Sequence, residues 1–233
     1  MNRVVLITGG GRGIGAATAR AFGQNGDRVV ITSRTAHGLK QVAQSLPKTR
    51  HLAVRADISR EVDVRRLFAT VQKRFGRVDV LVNNAGLAEV QPWPKVPTAH
   101  WHRVLQTNLT GAFFCAREAY GRFLKQRGGG CILNLSSLAG IAGAQKFVGF
   151  SAYSVAKHGV VGLTECLAEE GRPHGIRAIC VAPGAVNTAM LKKAVPHLRS
   201  DTQPEDIARI LVFLADPAQK ALSGTTVQIH SNT

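Results

Sequence analysis

Short apolar segments alternate with longer amphipathic segments along almost the whole chain. Several of the short segments, such as residues 4–8 and 131–135, are continuously apolar, which is typical of parallel strands buried on both faces. The intervening segments carry apolar residues at helical spacing and are long enough to form crossover helices. This alternation predicts an α/β fold, a doubly wound sheet of about seven parallel strands flanked by helices.

Glycine and proline residues mark the joints of this pattern, and no linker, internal repeat or low-complexity segment interrupts it. We therefore predict a single domain over residues 1–233. The predicted strands are residues 4–8, 28–32, 52–56, 78–82, 131–135, 177–182 and 226–229, and the predicted helices are residues 14–25, 36–46, 60–75, 98–126, 152–170 and 204–214.

The chain is strongly basic, with 30 Lys and Arg against 14 Asp and Glu and a net charge of +16 at pH 7. Such a charge favours nucleic acid, an anionic membrane or an acidic protein as partner. No nucleic-acid recognition motif accompanies the charge, so nucleic acid stays a minor alternative. The uncharged stretch 128–145 contains too many polar residues and glycines to span a membrane. We expect no membrane contact, and a charge that either attracts an anionic cofactor or acidic carrier protein or simply forms a basic surface.

The four cysteines, Cys115, Cys131, Cys166 and Cys180, form no Cys-x-x-Cys pair and have no histidine at ligand spacing. They are typical of reduced, partly buried thiols, and no metal site is expected. The N-terminal apolar run is too short for a secretory signal. These features predict a cytoplasmic protein.

A glycine-rich turn follows the first predicted strand directly. Residues 8–15 are Thr-Gly-Gly-Gly-Arg-Gly-Ile-Gly, and a helical segment comes next. Without Cβ atoms, backbone N–H groups and the positive end of the helix can approach a pyrophosphate. Two registers are possible, Gly11-x-Gly13-x-x-Ala16 and the preferred wider pattern of Gly9, Gly13 and Gly15, which also includes Ile14. The turn predicts a dinucleotide-binding domain of the Rossmann type.

The end of the second strand bears on which dinucleotide binds. An acid about 20 residues past the glycines would bind the ribose of NAD, but Ser33 and Arg34 stand here. Arg34 can bind a 2′-phosphate, and Arg12 in the turn is a candidate second cation; the alternative is that both are surface residues. The sequence therefore favours NADP(H).

Tyr153 and Lys157 stand four residues apart, which puts a phenol and an ammonium on the same helix face. Upstream, the fifth strand ends in Ser136 and Ser137. Ligands of parallel sheets bind beyond the carboxyl ends of the strands, so a serine here would lie near the cofactor.

Taken together, the motifs resemble those of the short-chain dehydrogenase/reductase family over nearly the whole chain, and in particular the 3-oxoacyl-[acyl-carrier-protein] reductases of fatty acid synthesis. The resemblance rests on the glycine turn, Asp57, the Asn83-Asn84-Ala85-Gly86 segment, Asn108, Ser137, Tyr153-x-x-x-Lys157, and Pro183-Gly184 with Thr188.

This resemblance implies a role for each matching position. The implied catalytic set is Asn108, Ser137, Tyr153 and Lys157. The implied cofactor contacts, besides Tyr153, Lys157 and the residues of the turn and second strand already described, are Asp57, Ile58, Asn84, Ala85, Gly86, Pro183, Gly184, Val186 and Thr188. Asp57 would contact the adenine, and Pro183, Gly184 and Thr188 would border the nicotinamide. The resemblance also implies a homodimer or homotetramer packed through the two long central helices.

The residue types suit reduction of a ketone, whose oxygen gains negative charge as the carbon accepts hydride. Tyr153 can donate the proton and Ser137 can hold the oxygen. We expect the Lys157 ammonium to lower the pKa of the phenol from its usual value of about 10. By resemblance, Lys157 also binds the nicotinamide ribose, and Asn108 holds a water that links Lys157 to solvent.

We predict NADPH-dependent reduction of a small-molecule or carrier-protein-linked ketone, with a 3-oxoacyl thioester as the leading substrate. One alternative is an NAD(P)-dependent alcohol dehydrogenase that acts on a sugar alcohol or a steroid-like molecule. The other alternative is a non-catalytic NADP-binding sensor, although a sensor would not need all four catalytic residues.

Several assignments keep an alternative at this stage. Ser136 rather than Ser137 can be the functional hydroxyl, although Ser137 fits the family's Ser-x-x-Gly pattern better. Asn108 can be a polar break within a helix, and Thr188 can simply cap one. We expect His100 and His102 to lie on the surface. The substrate-covering segment, about residues 184–203, is shorter than in many members of the family, which predicts an open site.

Overall fold

The computed structural model describes residues 2–47, 50–126 and 128–231. Seven strands form one sheet in the order β3-β2-β1-β4-β5-β6-β7, and each neighbouring pair is parallel. The strands are β1 (Val4–Thr8), β2 (Arg28–Ser33), β3 (His51–Arg55), β4 (Val80–Asn83), β5 (Gly130–Leu135), β6 (Ile176–Pro183) and β7 (Thr226–Ile229). The predicted doubly wound parallel sheet is confirmed, and each predicted strand overlaps an observed one.

Helices cover both faces of the sheet. They are α1 (Gly13–Gln24), α2 (Ala36–Gln44), α3 (Glu61–Phe75), α4 (Thr98–Leu105), α5 (Gly111–Phe123), α6 (Ser151–Gly171), α7 (Ala189–Ala194) and α8 (Pro204–Leu214). Alternate residues of β1 divide between two apolar cores. Val5 and Ile7 belong to the core under α1, α2 and α8, whereas Val4 and Leu6 belong to the core under α3 and α5. A strand buried on both faces explains the uninterrupted apolar run in the sequence.

Two helices differ from the prediction. The single helix predicted over residues 98–126 consists of α4, a π-helical turn at Gln106–Thr110, and α5, which ends at Phe123. The short helix α7 lies inside the segment that was predicted only as a substrate loop. Hydrophobic periodicity in the sequence predicts the two α-helical parts, α4 and α5. The π turn between them only shifts that periodicity by one residue, so the sequence pattern does not reveal it.

The strand order places a crevice beyond the carboxyl ends of the central strands β1 and β4. The chain runs outward from β1 to β2 and β3 and then returns to β4 on the other side of β1. At such a switch point the loops after neighbouring strands turn in opposite directions, which opens a binding site beyond the strand ends. Within the described ranges, no helix is both long and apolar enough to cross a membrane.

Candidate active site

The glycine turn lies at this crevice, between the end of β1 and the start of α1. Gly9 and Gly13 have φ values of +67° and +52°, which glycine adopts without steric cost. A Cβ atom on Gly15 would lie 2.3 Å from the Gly9 carbonyl oxygen. In the described chain no side chain caps α1, and its first turn contains no acidic residue. The backbone N–H groups of this turn are therefore available to an anion, and the turn fits a pyrophosphate.

The turn is fixed to the neighbouring strand by Asn84 and Thr8. Asn84 Nδ2 donates to the Thr8 carbonyl oxygen at 2.8 Å, and the Ala85 N–H donates to Thr8 Oγ1 at 3.0 Å. Gly86 follows in close contact with the catalytic region, because a Cβ atom there would lie 2.9 Å from Asn108 Oδ1. Asn84, Ala85 and Gly86 thus join the predicted cofactor turn to the predicted catalytic residues.

At the other side of the turn, three exposed arginines lie close together in the sequence of elements: one in the turn itself and one at the end of each of β2 and β3. A Cβ atom on Gly11 would lie 3.2 Å from Ser33 Oγ, so the turn and the end of β2 are in contact. Arg12 and Arg34 are both exposed here. Arg55 ends β3 opposite Ser33, and its Nε donates to the Arg34 carbonyl oxygen at 3.0 Å. The sequence analysis missed Arg55, whose only signal is its place at the end of the third strand.

Asp57 and Ile58 follow β3. The Asp57 carboxylate accepts hydrogen bonds from the backbone N–H and the hydroxyl of Ser59, at 3.0 and 2.7 Å. Ile58 is buried, and its side chain packs against Gly111, where a Cβ atom would lie 2.8 Å from Ile58 Cδ1. These contacts shape the loop that borders the predicted adenine site.

The segment after β6 reaches back to the glycine turn. The Gly184 N–H donates to the Ile229 carbonyl oxygen at 2.8 Å, and Val186 is buried. Thr188 Oγ1 accepts from the Leu191 N–H at 3.2 Å and so caps α7. The Thr188 methyl group also lies 3.4 Å from where a Cβ atom on Gly13 would stand. Thr188 is therefore both a helix cap and a neighbour of the predicted pyrophosphate site.

Tyr153 lies in the first turn of α6, beside the end of β5. Its phenol lies near the Ser137 hydroxyl, and its ring packs edge-on against Phe150 with centroids 5.9 Å apart. Burial raises the pKa of the Tyr153 phenol, and the nearby Ser137 hydroxyl only partly opposes this rise. The phenol is therefore protonated near neutral pH.

Lys157 is only 4% exposed. Its Nζ lies 5.7 Å from the centroid of the Tyr153 ring and donates to the Leu135 carbonyl oxygen at 2.6 Å. Burial lowers the pKa of Lys157 to about 8. Burial of Tyr153 dominates the phenol pKa in this structure, and the Lys157 ammonium is bound to a carbonyl group of β5, so its lowering effect on the phenol pKa stays a prediction.

Asn108 lies in the π-helical turn. The alternative that it is a polar break within a helix therefore agrees with its position. Asn108 Oδ1 accepts from the Leu87 N–H at 3.1 Å. Its Nδ2 donates to the carbonyl oxygens of Leu87 and Val104, both at 2.9 Å. The side chain thus fixes the loop after β4 to the helix that precedes the π turn.

The two serines after β5 face different partners. Ser137 Oγ faces Tyr153 and accepts from the Ala139 N–H at 3.2 Å. Ser136 is buried, and its Oγ donates to the Lys157 carbonyl oxygen at 2.8 Å. The geometry favours Ser137 as the hydroxyl that meets a substrate oxygen, and this assignment stays a prediction.

Two expectations outside this site need comment. His100 does not lie on the surface as expected: it is buried, with Nδ1 3.2 Å from Glu89 Oε2, whereas His102 is exposed. Helical position alone could not distinguish the two, because the acid that accompanies His100 lies in the preceding loop. No cluster of three or more candidate metal ligands occurs in the part of the chain that the structure describes.

Comparison with known proteins agrees with this geometry. Residues 3–199 match the family model described as short chain dehydrogenase. The meso-2,3-butanediol dehydrogenase of Serratia marcescens is 33% identical, with 98% of this chain and 93% of that protein covered. The 3beta-hydroxysteroid dehydrogenase 1 of Eggerthella lenta is 36% identical, with 97% and 91% covered. A crystal structure of levodione reductase superimposes with a TM-score of 0.90 at 31% identity, with 97% and 95% covered. The chain therefore belongs to the short-chain dehydrogenase family and is an oxidoreductase of that family.

Proposed function

We propose that this protein interconverts a ketone and a secondary alcohol with NADP(H), and that Tyr153 is the proton donor in the direction of reduction. The observation that carries the proposal is that Tyr153, Ser137 and the buried Lys157 lie together at the end of β5, with Gly86 joining Lys157 to the segment that fixes the glycine turn. The bound cofactor would supply or accept the hydride.

Each catalytic residue has a distinct task in this proposal. Ser137 donates a hydrogen bond to the carbonyl oxygen and stabilises the negative charge that develops there. Tyr153 gives its proton to the same oxygen, and its protonated state near neutral pH suits it to that step. Lys157, whose Nζ lies 5.7 Å from the centroid of the Tyr153 ring, supplies a positive charge that favours the phenolate as the proton leaves. Asn108 holds the neighbouring loop in position.

The proposed preference for NADP(H) rests on charge at the end of β2. Arg12, Arg34 and Arg55 are exposed around the turn, and the end of β2 carries no acid to repel a phosphate. A guanidinium binds a phosphate through charge-assisted hydrogen bonds.

We expect Arg34→Asp to lower the ratio of kcat/KM for NADPH to that for NADH by at least about tenfold. Arg50→Gln is the control, because Arg50 is also an exposed arginine but donates to the Gly26 carbonyl oxygen at the amino ends of β2 and β3, away from the turn. An unchanged ratio in Arg34→Asp would remove the cofactor proposal.

For the substrate, we propose a ketone or secondary alcohol with an apolar body. The comparisons give no support to a 3-oxoacyl thioester or to fatty acid synthesis, and the relatives named above favour the alcohol dehydrogenase alternative. Aromatic contacts run from Phe147 to Phe150, with centroids 6.2 Å apart, and from Phe150 to Tyr153. Val90 contacts this segment at Gly149, so exposed apolar side chains of two loops surround the approach to Tyr153. Such a surface binds apolar ligands.

The test of the activity is an initial-rate panel with both cofactors. It includes steroid ketones, cyclic ketones, diketones and ketoacyl thioesters, with wild type and Tyr153→Phe. We expect the highest kcat/KM for an apolar ketone, and a loss of about 100-fold or more in Tyr153→Phe with NADPH affinity retained. Undiminished turnover in Tyr153→Phe would refute the mechanism, and inactivity of wild type on every substrate would favour the non-catalytic sensor.

We also propose that the chain forms a homodimer or homotetramer through α5 and α6. Phe113 of α5 and Val155 of α6 are exposed apolar residues on these two helices. Light scattering coupled to size-exclusion chromatography tests this, and Phe113→Glu should shift the mass toward the monomer.

A further inference from the structure

Ser136 and Ser137 are consecutive residues that extend β5 by a short distance. The Ser136 N–H still donates to the Val181 carbonyl oxygen of β6 at 2.8 Å, so the backbone here continues the strand. Successive side chains of a strand point to opposite faces. Ser137 therefore faces Tyr153, whereas Ser136 points at the body of α6.

The end of β5 binds both the side-chain ammonium and the backbone carbonyl group of Lys157. Lys157 Nζ donates to the Leu135 carbonyl oxygen at 2.6 Å, and Ser136 Oγ donates to the Lys157 carbonyl oxygen at 2.8 Å. Gly140 packs against the same residue, because a Cβ atom there would lie 2.6 Å from the Lys157 carbonyl carbon. Lys157 thus has little freedom to move relative to the sheet.

The Ser136 bond differs from other hydroxyl bonds to helix carbonyl groups in this chain. Thr164 and Thr18 each donate to the carbonyl oxygen four residues earlier in their own helix, both at 2.7 Å. The Thr18 bond lies within one helix, whereas Thr164 Oγ1 also accepts from Asn134 Nδ2 of β5 at 2.9 Å and so links α6 to the sheet two turns beyond Lys157. Ser136 joins two elements that are 21 residues apart in sequence, at the one turn of α6 that carries Lys157.

We propose that Ser136 is a positioning residue for catalysis: it fixes the Lys157 turn of α6 against β5 and so keeps the ammonium close to the Tyr153 phenol. The inference rests on the proposed function, since Lys157 matters only if Tyr153 exchanges the proton. The two serines then have separate tasks, with Ser137 for the substrate oxygen and Ser136 for the lysine.

The perturbation is Ser136→Ala, which removes the hydroxyl and leaves the buried volume nearly unchanged. A cation close to a phenol favours the phenolate, so a displaced Lys157 raises the phenol pKa. We expect kcat to fall about fivefold, the factor that corresponds to one lost hydrogen bond, with KM for the ketone within about twofold. The midpoint of the kcat against pH profile should move to higher pH in both directions of the reaction.

Two further variants separate positioning from stability. Thr164→Val removes a buried hydroxyl that bonds the Val160 carbonyl oxygen and Asn134 Nδ2 of β5, two turns away from Lys157, so it should lower Tm and leave the pH midpoint unchanged. Ser136→Thr retains the hydroxyl and should restore the wild-type midpoint.

The inference is overturned if Ser136→Ala lowers Tm as Thr164→Val does but keeps the wild-type kcat and pH midpoint. If Tyr153→Phe is inactive at the same time, the proposed function still holds and only the task of Ser136 is refuted. Full activity of Tyr153→Phe would instead refute the proposed function itself.

Discussion

Gly15 offers a sharp test of the glycine turn, because the space for a side chain there is already filled. A Cβ atom would lie 2.3 Å from the Gly9 carbonyl oxygen and 2.5 Å from Asn84 Nδ2. The first obstacle is backbone, and the second is held by its hydrogen bond to the Thr8 carbonyl oxygen, so neither can move cheaply. We therefore take the overpacking cost of Gly15→Ala as about 3 kcal/mol, at the upper end of the usual range.

The higher helix propensity of alanine offsets part of that cost, by about 1 kcal/mol. A net loss of about 2 kcal/mol corresponds to a fall in Tm of about 4–8 °C for a domain of this size. Because the same atoms form the proposed pyrophosphate site, the Kd for NADPH should rise at least about tenfold, a cost of about 1.4 kcal/mol.

The assay is calorimetric Tm together with cofactor titration, and Gly121→Ala in α5 is the matched control. No described atom lies within 4 Å of a Cβ on Gly121, so this variant should gain about 0.5–1 kcal/mol and keep the wild-type cofactor affinity. A Gly15→Ala protein with wild-type Tm and wild-type Kd would refute the argument that the turn is closed around Gly15.

Three further predictions concern the rest of the fold. Asp27 is buried and pairs with Arg3 at 2.9 Å, so Asp27→Asn should cost about 3 kcal/mol and lower Tm by at least about 6 °C in a calorimetric scan. The hydrogen bond from Arg103 lowers the pKa of Glu89, so its carboxylate stabilises the fold above the unfolded pKa and this contribution disappears as pH falls through the folded pKa. Urea unfolding should therefore show Glu89→Gln to be less stable than wild type by under about 1 kcal/mol at pH 7, with no difference near pH 3. Cys166 is exposed and the other three cysteines are buried, so a thiol reagent should modify at most one cysteine in the native protein and four after unfolding; rapid modification of a second native thiol would contradict the structure.

The parts of the site that the sequence predicts well are those encoded within a few residues of each other. The glycine turn needs only a strand, a run of glycines and a helix, and Tyr153 and Lys157 share a face because they are four residues apart. The order of strands and helices follows from hydrophobic periodicity for the same reason.

The parts that the sequence leaves open depend on contacts between distant elements. The task of Ser136 depends on where α6 lies against β5, and the burial of His100 depends on Glu89 in a separate loop. The acceptor bound by Lys157 could not be predicted for a similar reason. Its ammonium binds a backbone carbonyl group of β5, and no residue type in the sequence marks that acceptor.

The π-helical turn at Gln106–Thr110 limits how this chain can change. A π turn amounts to one extra residue in an α-helix, and each residue of an α-helix turns by about 100°. Removing one residue from this turn would restore regular helical hydrogen bonding, but it would rotate Asn108 or the whole of α5 by that angle. A deletion that shortens the helix therefore makes its backbone more regular but points the Asn108 carboxamide in the wrong direction. We therefore expect a one-residue deletion between Thr98 and Phe123 to damage the candidate site more than a one-residue deletion in an exposed loop.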